Sequence, residues 1–240
     1  MTSGQENAAP PLSANWEEYI FIWLILTFIF ASLETIAVSK NIQRLEYVAK
    51  PAVMVCLFIW LYSSTGLQGK PFWFGLGILF SLTGDILLMI SLDRMFLFGL
   101  IAFLFAHISY ILGLAEALAS VTPWSLFLLA LIAVSTIWLL RWIVGALRAK
   151  GQHSLAYPVV MYASIISMML YTAMSTIYVP TWKTRAASFV SVGAFLFWIS
   201  DLTLAWDNFV SPIWNGRVFN IVTYYLGQIG LIAGVITQFG

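Results

Sequence analysis

Two aspartates, Asp85 and Asp201, lie inside long apolar runs of this 240-residue chain, GILFSLTGDILLMI and GAFLFWISDLTLAW. An isolated carboxylate at the centre of a membrane helix costs about 2.5–3.5 kcal/mol on insertion scales, so embedded acids generally face the protein interior and mark relays or active sites. The chemistry open to such a pair is general acid and base work. Two carboxyls in one poorly hydrated site can hold a single proton between them, one donating it while its partner stays charged. Lys50, Tyr162 and Tyr224 fall near the same depth, Gln228 a turn deeper on the face of Tyr224, and His107 near mid-membrane.

The elements that must position these residues are membrane helices. At 61% hydrophobic, 9% charged and a mean hydropathy of +0.93, the composition excludes a soluble domain. Apolar stretches of about 20 residues predict eight spans, at 19–38, 49–65, 71–91, 95–117, 123–144, 156–179, 186–206 and 217–238. The expected fold is an all-α polytopic bundle forming one domain over 19–240, after a polar N-terminal tail over 1–18. That tail lacks the basic start and small-residue cleavage site of a signal peptide, so the first helix is expected to be retained. The single cysteine, Cys56, supports neither an internal disulfide nor a metal cluster.

Eight of the eleven Lys and Arg residues, including Lys40, Arg44, Lys50, Arg148 and Arg217, fall in or beside the odd-numbered loops. The positive-inside rule places those loops in the cytoplasm. The expected location is a bacterial inner membrane, or an internal membrane if the source is eukaryotic. Helices three and seven then run toward the cytoplasm with both aspartates about 8–9 Å inside that boundary. A polar pocket opening on that side accommodates the whole set.

The two halves of the chain are alike. Gly77 and Gly193 each precede an aspartate by eight residues, and Ala49-Lys50-Pro51-Ala52-Val53-Met54 matches Ala156-Tyr157-Pro158-Val159-Val160-Met161 at four of six positions. The pattern is compatible with two parallel four-helix repeats. Pro51, Pro71, Pro123 and Pro158 are all expected in or near first turns, where no backbone bond is lost, so no span is predicted to be broken. Transporters commonly bind at broken helices, which lowers a carrier reading without removing it.

The segments LFSLTGDILLM, FLFGLIAFLFAHISYI, LFWISDLTLAWDNF and RVFNIVTYYLGQI, in that order, carry a resemblance. Over residues 47–238 the chain resembles the YhhN-like integral membrane proteins, the family that includes the animal lysoplasmalogenases. The resemblance implies an eight-helix hydrolase that cleaves the vinyl ether bond of lysoplasmalogen, an alkenyl-glycerophospholipid, to a fatty aldehyde and a glycerophospholipid. It implicates Asp85 and Asp201 as catalytic, with Lys50, His107, Tyr224, Tyr225 and Gln228 around the substrate; Tyr162 joins them on depth. Phe98 departs from the histidine of the animal enzymes before Gly99-Leu100, as is ordinary for bacterial relatives. Vinyl ether hydrolysis suits an acid pair, because protonation of the β-carbon leaves an oxocarbenium ion for water to attack. Lys50, at the predicted start of helix two, is placed to bind a lipid phosphate, to balance the aspartates, or simply to snorkel to the headgroups.

Bland readings stand beside these. The aspartates and His107 also suit interhelical hydrogen bonding, and Tyr225, about 100° around the helix from Tyr224, suits packed core. Glu34 and Glu116 lie near helix ends, where they are expected to reach solvent. No GxSxG, HExxH or glycine-rich nucleotide loop is present, so no metal or other cofactor is expected. A net charge of +1 gives no case for nucleic acid. The expected partners are a lysophospholipid substrate and membrane lipid, with no obligate protein partner. The alternative function is a proton-coupled carrier of small molecules or lipids, for which the same acids would serve.

Overall fold

The computed structural model describes the backbone of residues 14–119 and 121–240, and the side chains among them except 14–20, 92 and 93. Eight α-helices follow one another: α1 (Ala14–Ser39), α2 (Gln43–Thr65), α3 (Lys70–Ile90), α4 (Leu92–Gly113), α5 (Pro123–Ala149), α6 (His153–Ser175), α7 (Thr184–Phe209) and α8 (Gly216–Phe239). Short 3₁₀ turns at Ala115–Ala119 and Thr176–Tyr178 complete the described elements. Each of the eight is long and apolar enough to cross a bilayer. Helices suit that medium because every backbone donor finds its acceptor within the segment. The chain is thus an integral, multi-pass membrane protein. Of the tail read over 1–18, residues 1–13 lie outside the described residues, and α1 begins at Ala14.

The largest difference from expectation is at α2, which begins at Gln43 rather than at residue 49. A reading for apolar length stops at Gln-Arg-Leu-Glu-Tyr, yet a helix can continue through the interface with polar side chains turned to headgroups or to a cavity. Lys50 therefore lies seven residues into α2, about 10 Å along its axis, and not at its start. That shift, with a smaller one at α6, which begins at His153 rather than at residue 156, corrects the proline expectation. Pro51 and Pro158 lie inside α2 and α6, where each removes a backbone donor, and both helices run on through them. Pro71 and Pro123 do sit in first turns. Thr122 and Ser125 close a capping box at the start of α5.

Helix α8 is the hub. It packs on α1, α2, α3 and, most extensively, α7, whereas α5 lies at the periphery against α6 and α7. The α7–α8 approach depends on glycine. A Cβ on Gly193 would run into the backbone of Gly227, Gly230 and Leu231, and one on Gly227 into the backbone of Phe197. Small residues allow such backbone contact where lipid supplies no hydrophobic drive between helices. In the α3–α4 pair the glycines instead receive rings, Gly77 that of Tyr110 and Gly84 that of Phe103.

Packing partners recur at an offset of four helices. The contacts α1–α2, α2–α3, α3–α4 and α4–α6 correspond to α5–α6, α6–α7, α7–α8 and α8–α2, while α1–α8, α3–α8 and α5–α7 have no counterpart of like extent. At the end bearing the even-numbered loops, Lys70 pairs with Glu116, which also accepts from Thr181 Oγ1 at 3.2 Å. The Lys70 ammonium holds the Glu116 carboxyl below the usual range. Lys183 Nζ donates to Thr237 O at 2.8 Å at the same end.

Gly193→Leu should cost on the order of 1–3 kcal/mol through overpacking of α7 on α8. Gly145→Leu, where an added Cβ meets nothing within 4 Å, serves as the control and should leave thermal unfolding in detergent unchanged. Equal melting temperatures for the two variants would contradict the close-packed seam.

Candidate active site

A cavity of about 670 Å³ opens among the helices and reaches the end carrying the odd-numbered loops, where Asn41, Ser91 and Asn208 line it. Leu88, Leu100, Phe103, Ile143 and Ile166 supply apolar wall. Asp85, Asp201, Lys50, Tyr162 and Tyr224 all line this one space.

Asp85, projecting from α3 and only 3% exposed, has both oxygens engaged. Lys50 Nζ from α2 lies 3.2 Å from Oδ1, and the Tyr224 hydroxyl from α8 donates to Oδ2 at 2.8 Å. A buried carboxylate held by an ammonium and a phenol satisfies the rule that interior charges are paired and hydrogen-bonded.

Asp201, from α7, is bound on one side only. The Tyr162 hydroxyl from α6 donates to its Oδ2, and His107 Nε2 from α4 lies 3.4 Å from that oxygen and 3.0 Å from the Tyr162 oxygen. No described residue donates to Oδ1, and the side chain keeps 14% of its surface open. His107 is wholly buried and its Nδ1 has no partner among the described residues, so the tautomer carrying its proton on Nε2 makes more bonds. One residue before Asp201, Ser200 exchanges three hydrogen bonds with Asn220 of α8, at 2.8–2.9 Å. That clamp fixes the height of Asp201 on the α7–α8 seam.

The two carboxylates follow one scheme. Each sits on the third helix of its half and is bonded from the second helix of the same half and the fourth helix of the other. Lys50 and Tyr162 are the second-helix partners, Tyr224 and His107 the fourth-helix ones.

The remaining candidates lie behind or away from the cavity. Gln228 is buried beneath Tyr224, accepting from the Tyr110 hydroxyl at 2.7 Å and donating to Ser81 Oγ at 3.0 Å. Tyr225 does not line the cavity; its hydroxyl is buried without a partner among the described residues, as are both carboxyl oxygens of Glu34. Glu34 is thus fully buried and does not reach solvent as expected. The sequence reading passed over Tyr110, Ser81 and Asn220, which look like ordinary members of apolar helices. Glu46 likewise carries no signal in the sequence, and Arg217 stands out there only as a loop charge, yet the two line the cavity and pair at 2.9 Å.

Residues 45–235 match the model of the YhhN family. The chain belongs to the YhhN family. The match takes in every polar residue of the cavity's two carboxylate sites and leaves out α1 with Glu34. Among curated relatives, the chain is 28% identical over 203 residues to the Mus musculus protein named Lysoplasmalogenase TMEM86B, covering 80% of this chain and 74% of the relative. It is 31% identical over 134 residues to Lysoplasmalogenase TMEM86B of Sus scrofa, covering 56% and 51%, and 28% identical over 157 residues to Lysoplasmalogenase TMEM86A of Bos taurus, covering 64% and 60%. No solved structure gives a significant match.

Within this YhhN site, Lys50→Met leaves the Asp85 carboxylate buried beside an apolar side chain. Loss of one partner of a buried pair typically costs about 3–5 kcal/mol. The double variant Lys50→Met, Asp85→Asn should recover most of that loss in thermal unfolding, because neither charge then remains. Additive losses would contradict the pairing.

Proposed function

We propose that this chain is a membrane hydrolase that cleaves the vinyl ether bond of lysoplasmalogen, using Asp85 and Asp201 as a general acid–base pair. The observation that carries the reading is that Asp85 and Asp201 line one cavity that also has an apolar wall, in a family whose relatives bear the name lysoplasmalogenase. The alkenyl chain would lie along Leu100, Phe103 and Ile166, with the glycerol toward the loops. The basic odd-numbered loops support a mouth on the cytoplasmic side, in a bacterial inner membrane or an internal eukaryotic one.

The partners of the two acids suggest a division of labour. With both oxygens occupied, Asp85 is a fixed negative charge, suited to stabilising an oxocarbenium ion. Asp201 keeps Oδ1 free toward the cavity and is suited to holding the transferable proton there. It delivers that proton to the β-carbon, the double-bond electrons forming the new C–H bond, and positive charge develops on the α-carbon and ether oxygen. Water adds to the α-carbon, and the Asp201 carboxylate takes the proton that the water sheds. The resulting hemiacetal collapses to aldehyde and a free glycerol hydroxyl, so that vinyl ether and water are consumed one for one. Lys50 acts as counter-ion to Asp85 in this scheme and not as a phosphate ligand. Tyr162 and His107 orient the Asp201 carboxyl, while Gln228, Tyr110 and Ser81 hold Tyr224 from behind. For the carrier alternative, the unbroken course of α2 and α6 offers no support.

Purified protein incubated with lysoplasmenylethanolamine should release fatty aldehyde in the presence of EDTA. Asp201→Asn should lower kcat by about 10²-fold or more while preserving stability, since an amide keeps the shape and still accepts from Tyr162. Asp85→Asn should lower kcat by a similar factor, and stability as well, because Lys50 loses its counter-ion. Retention of more than half the wild-type rate by either variant would show that its carboxyl is structural. Absence of turnover together with proton-coupled lipid uptake into liposomes would favour the carrier.

A further inference from the structure

The cavity mouth contains a charge pair that the hydrolytic scheme does not use. Arg217 Nη2 lies 2.9 Å from Glu46 Oε1, the arginine side chain 59% exposed and the glutamate 14%. Both residues line the cavity, on its α8 and α2 walls. The other charged lining groups are committed elsewhere. Lys50 is bound to Asp85 and Asp201 is bonded by Tyr162, while Asp207 Oδ1 accepts from the backbone of Ile213 at 2.7 Å to fix the α7–α8 loop. Arg217 and Glu46 are therefore the charges at the mouth free to exchange each other for a ligand.

Their height above the carboxylates suits a glycerophospholipid. Glu46 is four residues before Lys50 on α2, and Arg217 seven before Tyr224 on α8, so the pair stands about 6–10 Å above the residues that hold Asp85. From the β-carbon of a 1-alkenyl chain to the phosphorus at position 3 of glycerol there are seven bonds. At ~1.3 Å of extension per bond, the ratio seen across a trans peptide, that is about 9 Å. A β-carbon at the acids thus brings the phosphorus level with Arg217 and Glu46.

We propose that Arg217 and Glu46 form a headgroup clamp for zwitterionic lysophospholipids, the guanidinium taking the phosphate and the carboxylate taking the ammonium. Planar donors on arginine fit phosphate oxygens in a forked geometry that lysine lacks. Without ligand the two side chains neutralise each other. A zwitterion replaces that one pair with two, whereas a purely anionic headgroup must displace Glu46 without giving it a partner. The clamp thus selects a headgroup bearing both charges, and it rests on the reading of the cavity as a lysolipid site.

Binding tests it apart from hydrolysis. Saturated 1-O-alkyl analogues carry no vinyl ether, and their binding can be followed through tryptophan fluorescence, since Trp198 lines the cavity. Wild type should bind 1-O-alkyl-lysophosphoethanolamine at least about tenfold more tightly than 1-O-alkylglycerol. Arg217→Gln should weaken both the phosphoethanolamine and the 1-O-alkyl-glycerophosphate tenfold or more, with alkylglycerol unchanged. Glu46→Gln should weaken only the phosphoethanolamine and should leave alkyl-glycerophosphate as tight or tighter. Equal binding of the three ligands by wild type, or loss of alkylglycerol binding in Arg217→Gln, would overturn the clamp. Displacement of the zwitterion by inorganic phosphate at comparable concentration would show a site for free phosphate, and would overturn it too. The predicted binding pattern without aldehyde release from any vinyl ether lipid would leave the clamp standing and overturn the hydrolase reading.

Discussion

A carboxylate within an apolar bundle must be given partners by other helices, and the arrangement of this protein around Asp85 and Asp201 meets that requirement. Asp85 draws on α2 and α8, Asp201 on α4 and α6, so two acids tie together six of the eight helices. The packing follows. Glycines along α7 and α8 bring those helices into backbone contact, Ser200 and Asn220 lock their register, and Asp201 is delivered to the cavity at a fixed height. In the other half Gly77 makes room for Tyr110, whose hydroxyl holds Gln228, which in turn lies under Tyr224 and Asp85.

The two sites share a scheme but not a chemistry. At the second-helix position one half places Lys50, a cation, against its aspartate; the other places Tyr162. We read the shared scheme as supporting an internal duplication, in which one copy holds a fixed ion pair and the other an open carboxyl oxygen. Such a divergence is what an acid pair needs, because equivalent carboxylates would compete for the same role.

Much of this was legible in the sequence because charge inside an apolar run stands out against its surroundings. The eight spans, the two aspartates and the level shared by Tyr162 and Tyr224 all follow from composition and helical rise. The start of α2 was not legible, since a polar first turn reads as loop when only apolar length is scored; that error moved Lys50 to the membrane surface and Pro51 to a helix start. Tyr225 and Glu34 show a second limit. Neighbours on one helix point in different directions, and which of them faces a cavity depends on where α1 packs. Tyr110, Ser81 and Asn220 were invisible for a related reason: their hydrogen bonds cross between helices far apart in the chain.

The central claim is that a positioned carboxyl delivers a proton to carbon within this cavity. Hydrolysis of lysoplasmenylethanolamine in D₂O, with the aldehyde trapped at once by reduction, tests it directly. The account predicts one deuterium at carbon 2 of the product, in a single configuration, because the acid approaches one face of a held double bond. Product lacking deuterium at carbon 2, or carrying it in both configurations equally, would contradict a proton transferred from Asp201 to bound substrate.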